Sequence, residues 1–220
     1  NSFFLFGARG TGKSTLLKDF IPKVSTEYLD LLDPATEDRF LRNPAELEQM
    51  VESTHPAWVV IDEIQKAPRL LDVVHHLIES KGTKFAMTGS SARKLKRGSA
   101  NLLAGRAFVR SLYPLTAGEL GEKFDLKKAL EWGTLPKIFQ FSESEDKASF
   151  LRAYGQTYLK EEIQAEQIVR QVNPFRMFLE VAAQCNGQIL NFSNIARDVG
   201  LDTKTAQSYF GILEDTLVGF

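Results

Sequence analysis

Through the first half of the chain, short apolar runs alternate with stretches whose apolar residues recur at helical spacing. Residues 2–6 form a compact apolar run that predicts a buried strand, and residues 13–20 predict the helix after it. Pro22 interrupts, and residues 27–32 alternate as a second strand. A helix is expected over 44–52. The run AWVVID at 57–62 is continuously apolar and rich in β-branched residues, as parallel strands buried on both faces are. Residues 70–79 predict a helix, 84–88 a fourth strand and 108–112 a fifth. Strands alternating with helices imply parallel βαβ units, and so an α/β fold with a three-layer parallel sheet.

The rhythm changes near Pro114. Helical spacing takes over, over 124–132, 145–168 and 174–185. The last thirty residues predict two helices around a turn. Ser193 is positioned to cap the first and Gly200 to end it. Asp202 can cap the second, whose Ala206, Tyr209, Phe210 and Leu213 share a face. Three parts are expected: 1–115, a helical lid or linker at 116–168, and a helix-turn-helix at 169–220.

Composition narrows the partners. With 43% hydrophobic and 25% charged residues the chain is of ordinary globular type, and its net charge of −1 leaves no overall footprint for nucleic acid or acidic membrane. The single cysteine, Cys185, excludes an internal disulfide framework and suits a reducing cytoplasm. No apolar stretch approaches the ~20 residues that span a bilayer. The chain opens at Asn1 just before a glycine-rich turn and closes at Phe220 after an apolar helix, as a piece of a longer polypeptide would.

Candidate chemistry begins between the first strand and the first helix. Gly7-Ala8-Arg9-Gly10-Thr11-Gly12-Lys13-Ser14 fits the phosphate-loop pattern G-x-x-x-x-G-K-[ST]. Glycines admit positive φ and let backbone N–H groups approach phosphate oxygens, and the helix adds its positive end. Lys13 is expected to reach the β- and γ-phosphates of ATP, and the Ser14 hydroxyl to ligate Mg²⁺. Gly7, Arg9, Gly10, Thr11, Gly12 and Thr15 complete the expected nucleotide contacts.

The strand ending VVIDEIQ supplies two acids. Asp62 fits the Mg²⁺-organising carboxylate of a Walker B strand, and Glu63 is placed to polarise a water attacking the γ-phosphate. One strand, 27–32, lies between the phosphate strand and the Asp62 strand in sequence. In P-loop ATPases of the additional-strand, catalytic-glutamate class an inserted strand pairs between those two or beyond them. The next strand finishes Thr88-Gly89-Ser90-Ser91. It would set a hydroxyl beside the γ-phosphate, with Ser90 favoured and Ser91 and Thr88 as rivals. Arg106, in LAGRA, is the expected arginine finger, in cis or from a neighbour, with Arg93 in reserve.

FGARGTGKST, WVVIDEIQKAP, FAMTGSSARKL, LAGRAFVRSLYPLTAGEL and GTLP occur in one fixed order. The series resembles the bacterial and archaeal AAA+-like P-loop ATPases that carry a C-terminal domain of unknown function, near the STAND and archaeal-ATPase branch. The resemblance implies an ATPase core, a small helical region and a winged-helix-like module. It matches Lys13, Ser14, Asp62 and Glu63 to the nucleotide machinery, and it sets Arg106 where the family has AGR. One departure is YLKEEI, where Lys160-Glu161-Glu162 stand in place of the family's arginine-aspartate pair.

Three functions follow as expectations: an ATP-hydrolysing switch or motor, a nucleotide-gated DNA-binding regulator, and a small-molecule kinase, which the Asp-Glu pair disfavours. Possible partners are a protein, a second copy of the chain, or DNA. From 166 onward Arg170, Arg176, Arg197 and Lys204 face six acids, a net −2, so phosphate contacts would be few and DNA affinity weak. Thr203, Lys204, Gln207 and Ser208 are the candidate readers of base edges. His75 and His76 are adjacent on a helix and point to different faces, which suits no two-histidine metal site.

Overall fold

A computed structural model of the chain describes residues 1–90, 103, 105–158, 163 and 172–219. Those residues form two compact units, Asn1–Phe124 and Asp125–Phe220.

In the first unit, β1 (Ser2–Phe6), β2 (Thr26–Asp30), β3 (Trp58–Asp62), β4 (Lys84–Gly89) and β5 (Ala107–Ser111) form one sheet in the order β2-β3-β4-β1-β5. Every pairing is parallel. The phosphate-loop strand β1 is therefore central, and β4 separates it from β3. The strand that intervenes in sequence, β2, lies beyond β3 at the sheet edge, one of the two placements open to the catalytic-glutamate class.

Pairing depth follows composition. β1, β3 and β4 are flanked on both sides and read as nearly unbroken apolar runs. Leu5, Val60 and Ala86 share one face, which Leu17 of α1 (Lys13–Phe20) and Ile21 just after it cover. Phe4 and Phe6 stack 5.5 Å apart on the other face, in register with Met87 and Gly89. There α4 (Leu70–Lys81) lies against β4, and α3 (Glu46–Thr54) lies against α4. β5, an edge strand, leaves Phe108 and Val109 half exposed.

Two helices are absent from the sequence reading. α2 (Pro34–Arg42) starts where Asp33 accepts from the Thr36 N–H at 3.0 Å, with Pro34 in the first turn. A short α5 (Ala117–Leu120) is opened by a reciprocal Thr116–Glu119 capping box.

The second unit holds α6 (Leu126–Trp132), α7 (Ser144–Thr157), α8 (Val172–Gln184), α9 (Phe192–Val199) and α10 (Thr203–Asp215). Phe175, Phe178 and Tyr209 pack edge to face, with ring centroids 4.9 and 5.3 Å apart for the two Phe–Tyr pairs, at the centre of its apolar cluster. Gly200 closes α9 at φ 72°, and Asp202 caps α10 through the Thr205 N–H. The expected cap of α9 is corrected. Asn191, not Ser193, accepts the Asn194 N–H at 3.1 Å, because Phe192 is already helical and Ser193 lies inside the first turn. Among the described residues, no helix is long and apolar enough to cross a membrane.

Candidate functional site

The loop after β1 is shaped by glycines at two kinds of position. Gly10 and Gly12 take φ of 76° and 94°, the left-handed region that other residues enter at a cost. Gly7 is needed for space, since a Cβ there would meet the Leu112 carbonyl oxygen at 2.5 Å and Thr11 Oγ1 at 2.8 Å. The Gly7 N–H donates to the Gly89 carbonyl at 3.2 Å, fastening the loop to the end of β4. Thr11 folds back with its hydroxyl on the Ala8 carbonyl at 2.9 Å. Lys13 is 6% exposed, and its Nζ donates to the Gly7 and Ala8 carbonyls at 2.8 and 3.2 Å. Its ammonium thus lies across the mouth of the loop. Ser14 is partly buried, while Thr15, Arg9 and Gly10 are exposed.

The two acids sit one strand away. Ile61 pairs with Met87, so Asp62 lies level with Thr88 at the end of β4. Asp62 is 3% exposed. Its Oδ1 accepts from the Thr88 hydroxyl, and its Oδ2 accepts from the Tyr28 hydroxyl at 2.7 Å. Burial above all, then the hydrogen bond to Asp62 and its charge, hold the Tyr28 phenol well above its ordinary pKa; a hydrogen bond with Ser14 opposes the shift. The Lys18 ammonium sits 5.0 Å from the Tyr28 ring centroid.

Glu63 follows at φ 60° and ψ 50°, a left-handed conformation for a residue with a full side chain. Its N–H donates to Thr88 Oγ1 at 3.0 Å, and its carboxylate Oε2 accepts from the Gln65 amide. The same amide nitrogen reaches Ser90 Oγ at 3.3 Å. Thr88, named only as a rival to Ser90, is therefore the hydroxyl in direct contact with both acids. Ser90 is linked to Glu63 alone, through Gln65. Ser91, Arg93 and the Lys160-Glu161-Glu162 segment fall outside the described residues.

Arg106 is not brought to this edge. Ala107 pairs with Ser2 at the start of β1, which sets Arg106 at the opposite end of the sheet from Gly7. There its Nε lies on the Glu79 carboxylate near the end of α4. That register separates Arg106 from its own chain's loop by the length of β1.

The residues present fit a magnesium-bound nucleoside triphosphate. The close approach of Gly7 to Leu112 and Thr11 leaves no room for a Cβ in the loop, and Ser14 and Asp62 offer the hard oxygen donors that Mg²⁺ takes. Among the described residues there is no cluster of three or more His, Cys, Asp or Glu side chains that could hold another metal.

A family profile described as an AAA domain matches residues 1–121, more than half of the chain. The chain belongs to the AAA domain family. A second profile, a domain of unknown function (DUF8612), matches residues 123–220 of this AAA protein. An uncharacterized protein of Haemophilus influenzae is 24% identical over 96% of the chain, which spans 60% of that relative's length. Among solved structures, the ORC2 protein of Aeropyrum pernix, in ADPNP–ADP complexes, superposes with a TM-score of 0.52 at 14% identity, over 98% of this chain and 80% of that one. The replication initiator DnaA bound to AMPPCP and single-stranded DNA matches 97% of this chain and 82% of its own, at 12% identity and a TM-score of 0.40. The ORC2 likeness agrees with the sheet order in assigning an AAA+-type P-loop fold.

Tyr28 and Gln65 are the two side chains of this site that the sequence did not single out. Gln65 was in view within VVIDEIQ, but nothing local ties it to Glu63 and Ser90. Tyr28 sits 34 positions from Asp62, and only the β2–β3 pairing joins them.

Proposed function

We propose that this protein binds and hydrolyses ATP as a nucleotide-dependent switch. The observation that supports it best is the tie of Asp62 and Glu63, through Thr88, to the strand between them and the loop. Backbone N–H groups between residues 8 and 14 and the Lys13 ammonium bind the phosphates, for which Lys13 leaves its two carbonyl partners. Ser14 and Asp62 hold Mg²⁺, which when bound neutralises charge on the phosphate oxygens. Glu63 accepts a proton from the attacking water, and Thr88 and Ser90 orient the groups around it. Arg106, at the far end of its own sheet, serves the site of an adjacent copy, so that assembly completes the reaction. Nucleotide state is passed to the helical unit by rearrangement of the loops at the sheet edge.

Steady-state phosphate release from Mg-ATP tests this reading. Glu63→Gln is expected to lower release at least a hundredfold while ATP affinity stays within a factor of about three. Equal rates in parent and variant refute the assignment.

A second reading, a nucleotide-gated contact with duplex DNA, is favoured by one observation: Thr203, Lys204, Gln207 and Ser208 on α10 are all exposed. It requires retention on duplex DNA at low salt that changes between ATP and ADP. No retention under those conditions eliminates it.

A further inference from the structure

We infer that Gln65 is the positioning residue that holds the Glu63 carboxylate against the end of β4. The inference rests on the ATPase reading above and adds a component to it.

Gln65 belongs to the short 3-10 turn Ile64–Lys66 that follows Glu63. It is 5% exposed, and Ile64 beside it in the turn and Ser90, which it contacts, are buried as well. Its amide nitrogen spends both hydrogens on the site, one on Glu63 Oε2 and one on Ser90 Oγ. Its carbonyl oxygen is buried with no hydrogen-bond partner among the described residues. The opposite amide orientation would set that oxygen against the Glu63 carboxylate, so the contact with Glu63 fixes which way the amide faces. A buried amide that leaves its acceptor unpaired opposes folding. An apolar side chain of the same length would fill the place without that penalty. The amide is therefore explained by its two donations and not by packing.

The surroundings are built to admit it. Gly89 leaves space that a Cβ would close, approaching Gln65 Oε1 at 2.7 Å. The left-handed turn at Glu63 brings a side chain two residues upstream back within reach of the same amide. A carboxylate at the end of a strand would otherwise sample several rotamers in water. One N–H donated by a buried, immobile neighbour selects the rotamer that lies over β4, and leaves the charge in place. Ser90, at the end of the strand next to the loop, is the other end of the link. Glu63 is thereby referred to β4, the strand that Gly7 is also fastened to.

The experiment uses the full chain and Gln65→Met, which conserves length and volume. Phosphate release is expected to fall 10- to 100-fold, with the affinity for fluorescent ADP unchanged within twofold. In a Glu63→Gln background, Q65M is expected to slow single-turnover hydrolysis no further, because the residue acts through Glu63. A third measurement needs no nucleotide. The Gln65 side-chain NH₂ resonances, identified by their loss in Q65M, are expected to shift in Glu63→Gln and in Ser90→Ala. Q65M hydrolysing within twofold of the parent overturns the inference alone. So does Q65M slowing the Glu63→Gln protein as much as it slows the parent, or weakening ADP binding tenfold, as a packing residue would. A parent that releases no phosphate refutes the ATPase reading and this inference with it. NH₂ resonances unmoved by Glu63→Gln refute the contact itself whatever the rates.

Discussion

Thr88→Val is the sharpest single perturbation of the site's framework. Thr88 has no exposed surface, and valine reproduces its branched shape, so the change deletes one hydroxyl and little else. That hydroxyl donates to Asp62 Oδ1 and accepts the Glu63 N–H at 3.0 Å. Losing a hydrogen bond to a buried carboxylate costs about 1.5–3 kcal/mol, and stranding a partly buried N–H adds about 1 kcal/mol or more. Burying a methyl in place of the hydroxyl returns roughly 1 kcal/mol. The expected net loss is about 1.5–3 kcal/mol. Urea unfolding followed by Trp58 fluorescence measures it, in a Trp132→Phe background so that the signal comes from β3 alone. Thr88→Ser keeps both hydrogen bonds and should lose only about 1 kcal/mol. A valine variant within about 0.5 kcal/mol of the parent, or a serine variant less stable than the valine variant, would refute the reasoning.

Three further outcomes follow from the same geometry. Gly7→Ala forces a Cβ to 2.5 Å from a backbone oxygen, and should cost about 1–3 kcal/mol in urea unfolding and abolish detectable ATP binding by calorimetry. Gly89→Ala presses on the Gln65 amide, and should lower phosphate release severalfold while ADP affinity persists. The Thr205 hydroxyl and N–H hold the Asp202 carboxyl below its usual pKa. The ionised cap therefore supports α10 fully above about pH 4 and is lost as pH falls through the folded value. Hydrogen exchange in the first turn of α10 should quicken on acidification in the parent, and respond less in Asp202→Asn.

How much of this could be read beforehand depended on distance along the chain. β1 and α1 agree with the sequence reading to the residue, because a doubly covered strand and a glycine-lysine turn both leave dense local signals. β2 ends two residues earlier than expected, since Asp33 turns the chain into the cap of α2. Thr88 and Ser90 have the same strand parity, so alternation does not tell which one faces Asp62; the β3–β4 register does. The Arg106 position was left open between its own site and a neighbour's, and only the β1–β5 register places it at the far end. Tyr28 and Gln65 were invisible for the same reason, as cross-strand partners have no sequence periodicity.

The backbone at Glu63 pulls durability and turnover in opposite directions. A non-glycine residue held there pays on the order of 1 kcal/mol in conformational strain. Glycine or asparagine would relax it, so Glu63→Gly should melt later than the parent, by differential scanning calorimetry, and turn over no ATP. A laboratory search for heat resistance alone would settle on this position early and silence the protein in doing so.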